Sequence, residues 1–360
     1  MKNNHFIIIM AGGSGTRLWP VSRANLPKQF HKFSSDEKSL IQETYDRVKD
    51  LVPKENIFVS LVENIYKTTL AQLPEIPKEN YIVEPEGKNT APAIGLIASL
   101  IYNRNPEAIV ATVASDHTVE KVETFQNVIK QAFKFIEEKN EYLVTVGIEP
   151  TEPNTGYGYI KVGRKFTGEE INEVERFVEK PNLLTAKRYI KSGEYLWNAS
   201  YFIWKASDML ANFAKFAPHI HERLERISTA IQTDDYKKIL ETEYAQFLKE
   251  PIEPIIIEKL DKVAVIKADL GWSDVGTWSS LYEFLSKDTG DSNVQRGNHI
   301  GISDKNCLFY AHDKLLATVG LDNIIIVDTP DVTLVCDKSK TQEIKELMEK
   351  LKITGQEKYL

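Results

Sequence analysis

Cysteine is nearly absent: Cys307 and Cys336 are the two among 360 residues. So few thiols, well apart in sequence, argue against a disulfide scaffold and fit buried thiols in a reducing compartment. Whether the two meet in space stays open at this level. Long hydrophobic runs are missing too. No apolar stretch approaches a membrane span, and Phe6-Ile7-Ile8-Ile9-Met10 is too short for a signal-peptide core and runs into glycines, so it reads as a strand. The chain is therefore expected to be cytoplasmic, with no membrane partner. Positive charge is not in excess, since 45 Lys and Arg face 52 Asp and Glu for a net charge of −7. That balance argues against nucleic acid as a partner, and an anionic ligand must be drawn by a local basic site. Catalytic signatures are missing as well. There is no Gly-x-Ser-x-Gly elbow, no evident Cys/His pairing and no zinc spacing; His219 and His221 are two apart, which points them to different helix faces. At 42% hydrophobic and 27% charged, the composition is that of a folded globular chain, long enough for two domains or one large α/β domain with an appendage.

What is present is concentrated after the first strand. Ala11-Gly12-Gly13-Ser14-Gly15-Thr16-Arg17-Leu18-Trp19-Pro20 puts three glycines in four positions ahead of an arginine. Without a Cβ, the backbone can turn N–H groups toward anionic oxygens. Arg17 adds a planar fork of donors suited to phosphate, and Lys28, in Pro27-Lys28-Gln29-Phe30, adds a second cation. The loop is not a P-loop, because Thr16-Arg17 stands where Gly-Lys-Ser/Thr is needed. Nor is it the dinucleotide fingerprint, because Leu18 takes the place of the third glycine. A plain strand-to-loop turn would require neither Arg17 nor Lys28.

Strands and helices alternate as far as about Gly147. Apolar runs at 57–59, 81–83, 108–114 and 142–148 read as strands. One helix starts at Ser39, with Gln42 completing a capping box, and buries Ile41, Tyr45, Val48 and Val52; another carries Phe125, Val128, Ile129, Ala132, Phe133 and Ile136 at helical spacing. The alternation predicts an α/β fold: a Rossmann-like, mostly parallel sheet with helices on both faces, its ligand at the carboxyl ends of the strands. Further strands are expected at 157–162, 201–204 and 263–268, a polar helix near 184–191, and helix across 208–248 with Leu210, Phe213 and Phe216 as its stripe. From about Asn293, short apolar runs at 324–327 and 332–335, broken by turn residues, predict a small β unit. A last helix is expected with Ser339 as cap, Gln342 completing the box, and Ile344, Leu347, Met348 and Leu351 on one face. Packing within its own domain and a homodimer contact are equal readings of that face. The division is thus a catalytic domain over 1–290 and a small β domain with terminal helix over 291–360. No repeat stands out.

Asp116, in Val113-Ala114-Ser115-Asp116-His117, sits just past a strand and could hold Mg2+ against phosphates; Asp274, between Trp272 and Gly276, is the second candidate. His117 suits hydrogen bonding better than magnesium. In Lys88-Asn89-Thr90-Ala91-Pro92-Ala93, residue chemistry favours a helix cap for Asn89 or Thr90, though an amide and a hydroxyl could also read a purine edge. Asn154-Thr155-Gly156-Tyr157, Glu179-Lys180-Pro181 and Trp197-Asn198-Ala199-Ser200 offer groups that bind sugar hydroxyls, with Lys180 able to neutralise a second phosphate; each also has a bland reading as a turn, an ion pair or a loop asparagine. The implied chemistry is direct displacement at phosphorus.

Taken together, these segments resemble the bacterial mannose-1-phosphate guanylyltransferases (GDP-mannose pyrophosphorylases) of the sugar-nucleotidyltransferase superfamily, nearly end to end. The glycine loop with Pro27-Lys28 marks the superfamily; Lys88-Asn89-Thr90-Ala91-Pro92 and Pro27-Lys28-Gln29-Phe30 point to the mannose branch. The resemblance implies that GTP and mannose 1-phosphate give GDP-mannose and pyrophosphate with Mg2+. It assigns Gly12, Gly13 and Gly15 to the triphosphate, with Ala11, Ser14 and Thr16 of the same loop as further nucleotide-binding residues, Arg17 to the departing pyrophosphate and Lys28 to the α-phosphate. Asp116 and Asp274 match the metal aspartates, Asn89 and Thr90 the guanine side, and Gly156, Glu179, Lys180 and Asn198 the sugar-phosphate side. Two places depart. Ser200 replaces the glycine of Trp-Asn-x-Gly; Glu253 stands for an aspartate, and Pro254 removes a tyrosine and a backbone donor. Both bear on sugar selectivity. Long bifunctional members carry a cupin-type isomerase domain, for which this chain is expected to be too short. Rival readings are the same reaction on glucose 1-phosphate with UTP or dTTP, a sugar transferase (disfavoured because His117-Thr118 follow Asp116 instead of an Asp-x-Asp), and a non-catalytic nucleotide-sugar-binding homologue.

Overall fold

The computed structural model describes residues 4–13, 15–34, 37–287 and 292–360. Along the chain come β1 (His5–Met10), α1 (Leu40–Val48), β2 (Ile57–Val62), α2 (Tyr66–Gln72), β3 (Tyr81–Glu84), α3 (Thr90–Arg104), β4 (Ile109–Ala114), the short β5 (Thr118–Val119), α4 (Val122–Glu138) and β6 (Leu143–Ile148). Next are β7 (Tyr159–Lys165), β8 (Ile171–Val178), α5 (Leu183–Ser192), β9 (Tyr195–Lys205), α6 (Ala206–Phe216), α7 (Pro218–Ala230), α8 (Tyr236–Ala245), α9 (Ile252–Ile255), β10 (Val263–Lys267), the short β11 (Trp272–Ser273) and α10 (Trp278–Ser286). The described residues fall into two compact units, one of Met1–Gly12, Thr44–Ser115 and Val119–Trp272, the other of Gly13–Glu43, Asp116–Thr118 and Ser273–Leu360. Among them no helix is long and apolar enough to cross a membrane.

The first unit is built on a nine-stranded sheet of order β3-β2-β1-β4-β9-β6-β10-β8-β7. β3, β2, β1 and β4 run parallel, as strand–helix alternation predicts; β9 then enters between β4 and β6, antiparallel to both. Side chains alternate across the strands. Phe6, Ile8, Val110, Phe202 and Trp204 join α3, α6 and α7 in one core, while Tyr201 points the other way and meets Phe125 of α4 edge-on at 5.5 Å. Helices thus cover both faces. α3 is apolar nearly all round, and residues 91–99 along it are buried, the behaviour of a helix wrapped by neighbours. The helix expected across 208–248 is broken: Pro218 starts a new helix at Ala217, and the chain turns again after Ala230. A proline has no N–H to donate to the preceding turn, so it opens a helix more readily than it continues one.

In the second unit, β12 (Val294–Arg296), β13 (His299–Ile302), β14 (Leu308–Tyr310), β15 (Leu316–Val319), β16 (Ile324–Asp328) and β17 (Thr333–Asp337) lead to α11 (Ile344–Ile353). β12, β14 and β16 stack in parallel, as do β13 and β15, so successive coils lie on one another; β17 closes the stack antiparallel to β16. Val294, Leu308, Ile325 and Val327 share a core with Leu18, Trp19, Phe33, Trp278, Leu281, Ile344 and Met348. The last helix begins later than its sequence suggests. Asp337, not Ser339, supplies the cap, its Oδ1 accepting from Ser339 N at 2.8 Å, and residues 338–343 form a tighter 3-10 run before α11. Cys307 and Cys336 are free thiols.

Candidate active site

The second unit gathers three of the expected site residues on one ammonium group. Pro27, with φ −64°, opens a short 3-10 turn at Lys28–Phe30, and Lys28 is 3% exposed. Its Nζ donates to Asp116 Oδ2 at 3.0 Å and to the backbone carbonyl of Asp274. A buried ammonium without such partners would carry a large desolvation cost. Burial on its own would raise the Asp116 pKa, but the Lys28 ammonium and His117 outweigh it and hold the carboxyl below its ordinary value. Asp116 is therefore ionised at neutral pH. The Asp274 carboxylate is turned into its own loop, with Oδ1 accepting from Gly276 N at 3.0 Å. Gly15 sits at φ +56°, and a Cβ there would run into Lys28. Gly13 passes Asp116 closely enough that a Cβ would lie 3.9 Å from Oδ2. Arg17, in the turn Thr16–Leu18, donates from Nη1 to Gln342 Oε1 at 3.1 Å. Ser14 lies outside the described residues.

Among the described residues no group of three or more His, Cys, Asp or Glu forms a ready-made metal cage. The pair Asp116 and Asp274 still fits a hard cation. Both side chains are carboxylates, Lys28 holds Asp116 by its carboxylate and Asp274 by its backbone carbonyl, and two protein ligands leave the other positions to phosphate oxygens and water, the way Mg2+ is usually held.

In the first unit Ala11 N donates to Ser60 O at 2.7 Å, which fixes the start of the glycine loop to β2. A Cβ on Gly12 would lie 4.0 Å from Glu84 Oε1. Asn89, at φ +71°, accepts from Thr90 N at 2.8 Å, and Thr90 Oγ1 accepts from Ile252 N at 2.8 Å, so Asn89 caps its own helix and Thr90 holds the start of α9. Gly156 N donates to Asn154 Oδ1 at 2.8 Å. A Cβ on Gly158 would lie 2.7 Å from Glu179 Oε2, so a bare backbone is what lets that carboxylate approach. Glu179 Oε1 accepts from Lys180 Nζ at 2.5 Å, the ion pair of the bland reading, with Lys180 strained at φ +42°. Asn198 Oδ1 accepts from Thr145 Oγ1 at 2.9 Å and from Ser200 N at 3.0 Å.

Comparison with known proteins settles the family. The profile of the Nucleotidyl transferase family matches residues 6–290, and that of the MannoseP isomerase/GMP-like beta-helix domain matches 297–351. A putative mannose-1-phosphate guanylyltransferase of Vibrio cholerae is 38% identical over 98% of this chain and 75% of its own length. The mannose-1-phosphate guanylyltransferase of Escherichia coli K12 is 36% identical over 98% and 74%. A crystal structure of a mannose-1-phosphate geranyltransferase from Thermus thermophilus superposes with a TM-score of 0.86 at 30% identity, covering 97% of this chain and 99% of that one. The chain belongs to the mannose-1-phosphate guanylyltransferase family.

Against that family the two departures acquire a geometry. Ser200 stands at φ +55°, the left-handed region that explains a family glycine there; its hydroxyl accepts from Asn198 Nδ2 at 3.2 Å, which offsets part of the strain. Glu253, in the first turn of α9, is 8% exposed. Desolvation first, then the negative charge of Glu179, push its carboxyl up to about 7, against smaller opposing pulls from a backbone hydrogen bond and from Lys180. Pro254 is tolerated because it falls in a first helical turn, where no intrahelical donor is needed.

Three features went unread in the sequence. Glu84 is a buried carboxyl at the end of β3, its oxygens accepting from Tyr244 OH at 2.6 Å and Ser60 Oγ at 3.1 Å, and burial raises its pKa. A glutamate closing an apolar strand was the available signal. Tyr244, its partner, is 160 residues away, and no local pattern links the two. The sequence offers Gln342 as half of a capping box, yet its side-chain oxygen serves Arg17.

Proposed function

We propose that the chain transfers GMP from GTP to mannose 1-phosphate, giving GDP-mannose and pyrophosphate, with Mg2+ as cofactor. The observation that carries this reading is the pair of hydrogen bonds that Lys28 Nζ donates to the Asp116 carboxylate and the Asp274 carbonyl. That pair ties a cation to one carboxylate and to the backbone of a second acidic residue, from three distant segments, and a Cβ on Gly15 or Gly13 would come close to Lys28 or Asp116. A phosphate oxygen of mannose 1-phosphate attacks the α-phosphorus of GTP; the bond to the bridging oxygen breaks, and pyrophosphate leaves with the electron pair. No protein nucleophile takes part. Backbone N–H groups of the glycine loop, including Gly12 and Thr16, bind the triphosphate, while the Ala11 N–H, bonded to Ser60 O, anchors the loop instead; Arg17 stabilises the charge growing on pyrophosphate, and Lys28 that on the α-phosphate. A divalent cation on Asp116 and Asp274 would neutralise phosphate charge when bound. Asn89 and Thr90 are assigned to the guanine, and Gly156, Glu179, Lys180 and Asn198 to the sugar phosphate. Residues 1–290 are taken as the catalytic domain and 291–360 as the small β domain, the chain as cytoplasmic, and a homodimer as its assembly.

Pyrophosphate release from GTP and mannose 1-phosphate tests the reading. We expect release that EDTA abolishes and Mg2+ restores. Asp116→Ala should lower turnover by about 10²–10³, the usual cost of one preorganised charge contact, while circular dichroism stays that of the wild type. Full turnover in a folded Asp116→Ala protein would contradict the metal assignment.

A further inference from the structure

We propose that Gln342 is a positioning residue for Arg17: its neutral amide oxygen sets the direction of the guanidinium without neutralising it. The proposal rests on the role of Arg17 at the triphosphate given above. Arg17 Nη1 donates to Gln342 Oε1 at 3.1 Å across 325 residues of sequence. Arginine has donors alone, so the chemistry itself fixes the amide oxygen as the partner. Both ends of this bond are held by independent contacts. The turn that carries Arg17 is closed by Leu18 N donating to Gly15 O at 3.0 Å. Trp278 Nε1 donates to Trp19 O at 2.9 Å, and Trp19 Nε1 donates to Tyr359 O at 2.6 Å. On the other side, the 3-10 run bearing Gln342 is capped by Asp337, and the adjacent Thr341 hydroxyl pairs with Ser279 Oγ at 2.8 Å. Ser279 Oγ in turn lies 2.9 Å from Thr277 Oγ1, the cap of α10, three residues beyond Asp274. Backbone contacts therefore fix where Arg17 starts, and Gln342 decides where its fork ends.

The residue type matters. An amide takes one of five guanidinium N–H groups and leaves the full positive charge for phosphate. A carboxylate in its place would form a charged pair with the same fork and compete with the triphosphate. Gln342 is exposed, so exchanging its side chain puts no core packing at risk.

Two near-isosteric variants separate positioning from mere structure. Gln342→Met keeps the volume and removes the acceptor. We expect kcat to fall at least about tenfold, within the range that misplacing a group around a reacting centre costs. The KM for mannose 1-phosphate and the melting temperature should stay unchanged. Gln342→Glu keeps the acceptor and pairs the charge. Here we expect GTP affinity, read by calorimetry, to weaken about tenfold, again with an unchanged melting temperature. Wild-type kcat in the Met variant together with wild-type GTP affinity in the Glu variant would overturn the proposal. So would losses in both that merely track a lowered melting temperature. A wild type that binds GTP but releases no pyrophosphate overturns the guanylyltransferase reading alone, and the order of GTP affinities then judges Gln342. A wild type that binds no GTP overturns both.

Discussion

Glu253 keeps a proton near neutrality because its carboxyl is desolvated and faces the charge of Glu179. The sign of the consequence follows from linkage. A carboxyl whose folded pKa lies above the unfolded value binds more protons when folded, so stability falls as pH rises from about 4.5 to about 7. Glu253→Gln removes that dependence. Thermal melts should show a flatter pH profile in the variant and a gain at pH 8 of at most about 3 kcal/mol, from 1.36 kcal/mol per unit. Unchanged melting behaviour across that range would contradict the buried, proton-holding carboxyl. At this scale the placement of Asp116 just past β4 and of Lys28 just after Pro27 was legible in the sequence, because an apolar run and a proline mark where a strand ends and a turn begins. Glu84 was not. A single glutamate among many gives no local sign that Ser60 and Tyr244 will close over it.

Local elements depend on a few positions where the backbone decides. Gly15 is one: at φ +56°, with Lys28 where its Cβ would be, it cannot take a side chain without moving the ammonium that holds Asp116 and Asp274. Gly15→Ala should therefore cost roughly 1–3 kcal/mol of stability and most of the turnover. Gly13→Ala, whose Cβ would approach Asp116 Oδ2 no closer than 3.9 Å, should lose far less of either. Equal behaviour of the two in melts and pyrophosphate release would contradict this account of the loop. Element existence was readable from helical periodicity at α4 and from a continuous apolar run at β10, since burial on one face imposes a period and burial on both faces a run. Caps were less so. Ser339-Thr341-Gln342 carries the letters of a capping box, but Asp337 lies two residues upstream and takes Ser339 N first. A stronger acceptor nearby overrides a spacing rule.

Across the whole molecule, the coil stacking of β12 to β16 left no visible repeat in sequence. Each rung needs two or three inward apolar side chains, such as Val294, Leu308 and Ile325, and the turns between rungs differ in length and composition. The α/β sheet was legible because strand–helix alternation is a long-range pattern written many times; the entry of β9 antiparallel between β4 and β6 was not, because pairing order is settled by packing. Substrate choice also belongs to this scale, since it sums small preferences from residues spread over the chain. The most direct measurement is a matrix of GTP, UTP, dTTP and ATP against mannose 1-phosphate and glucose 1-phosphate, read by pyrophosphate release from the purified protein with Mg2+. The account predicts that GTP with mannose 1-phosphate gives the highest kcat/KM of all pairs. A preference for UTP or dTTP with glucose 1-phosphate, or release from no pair at all, would contradict it.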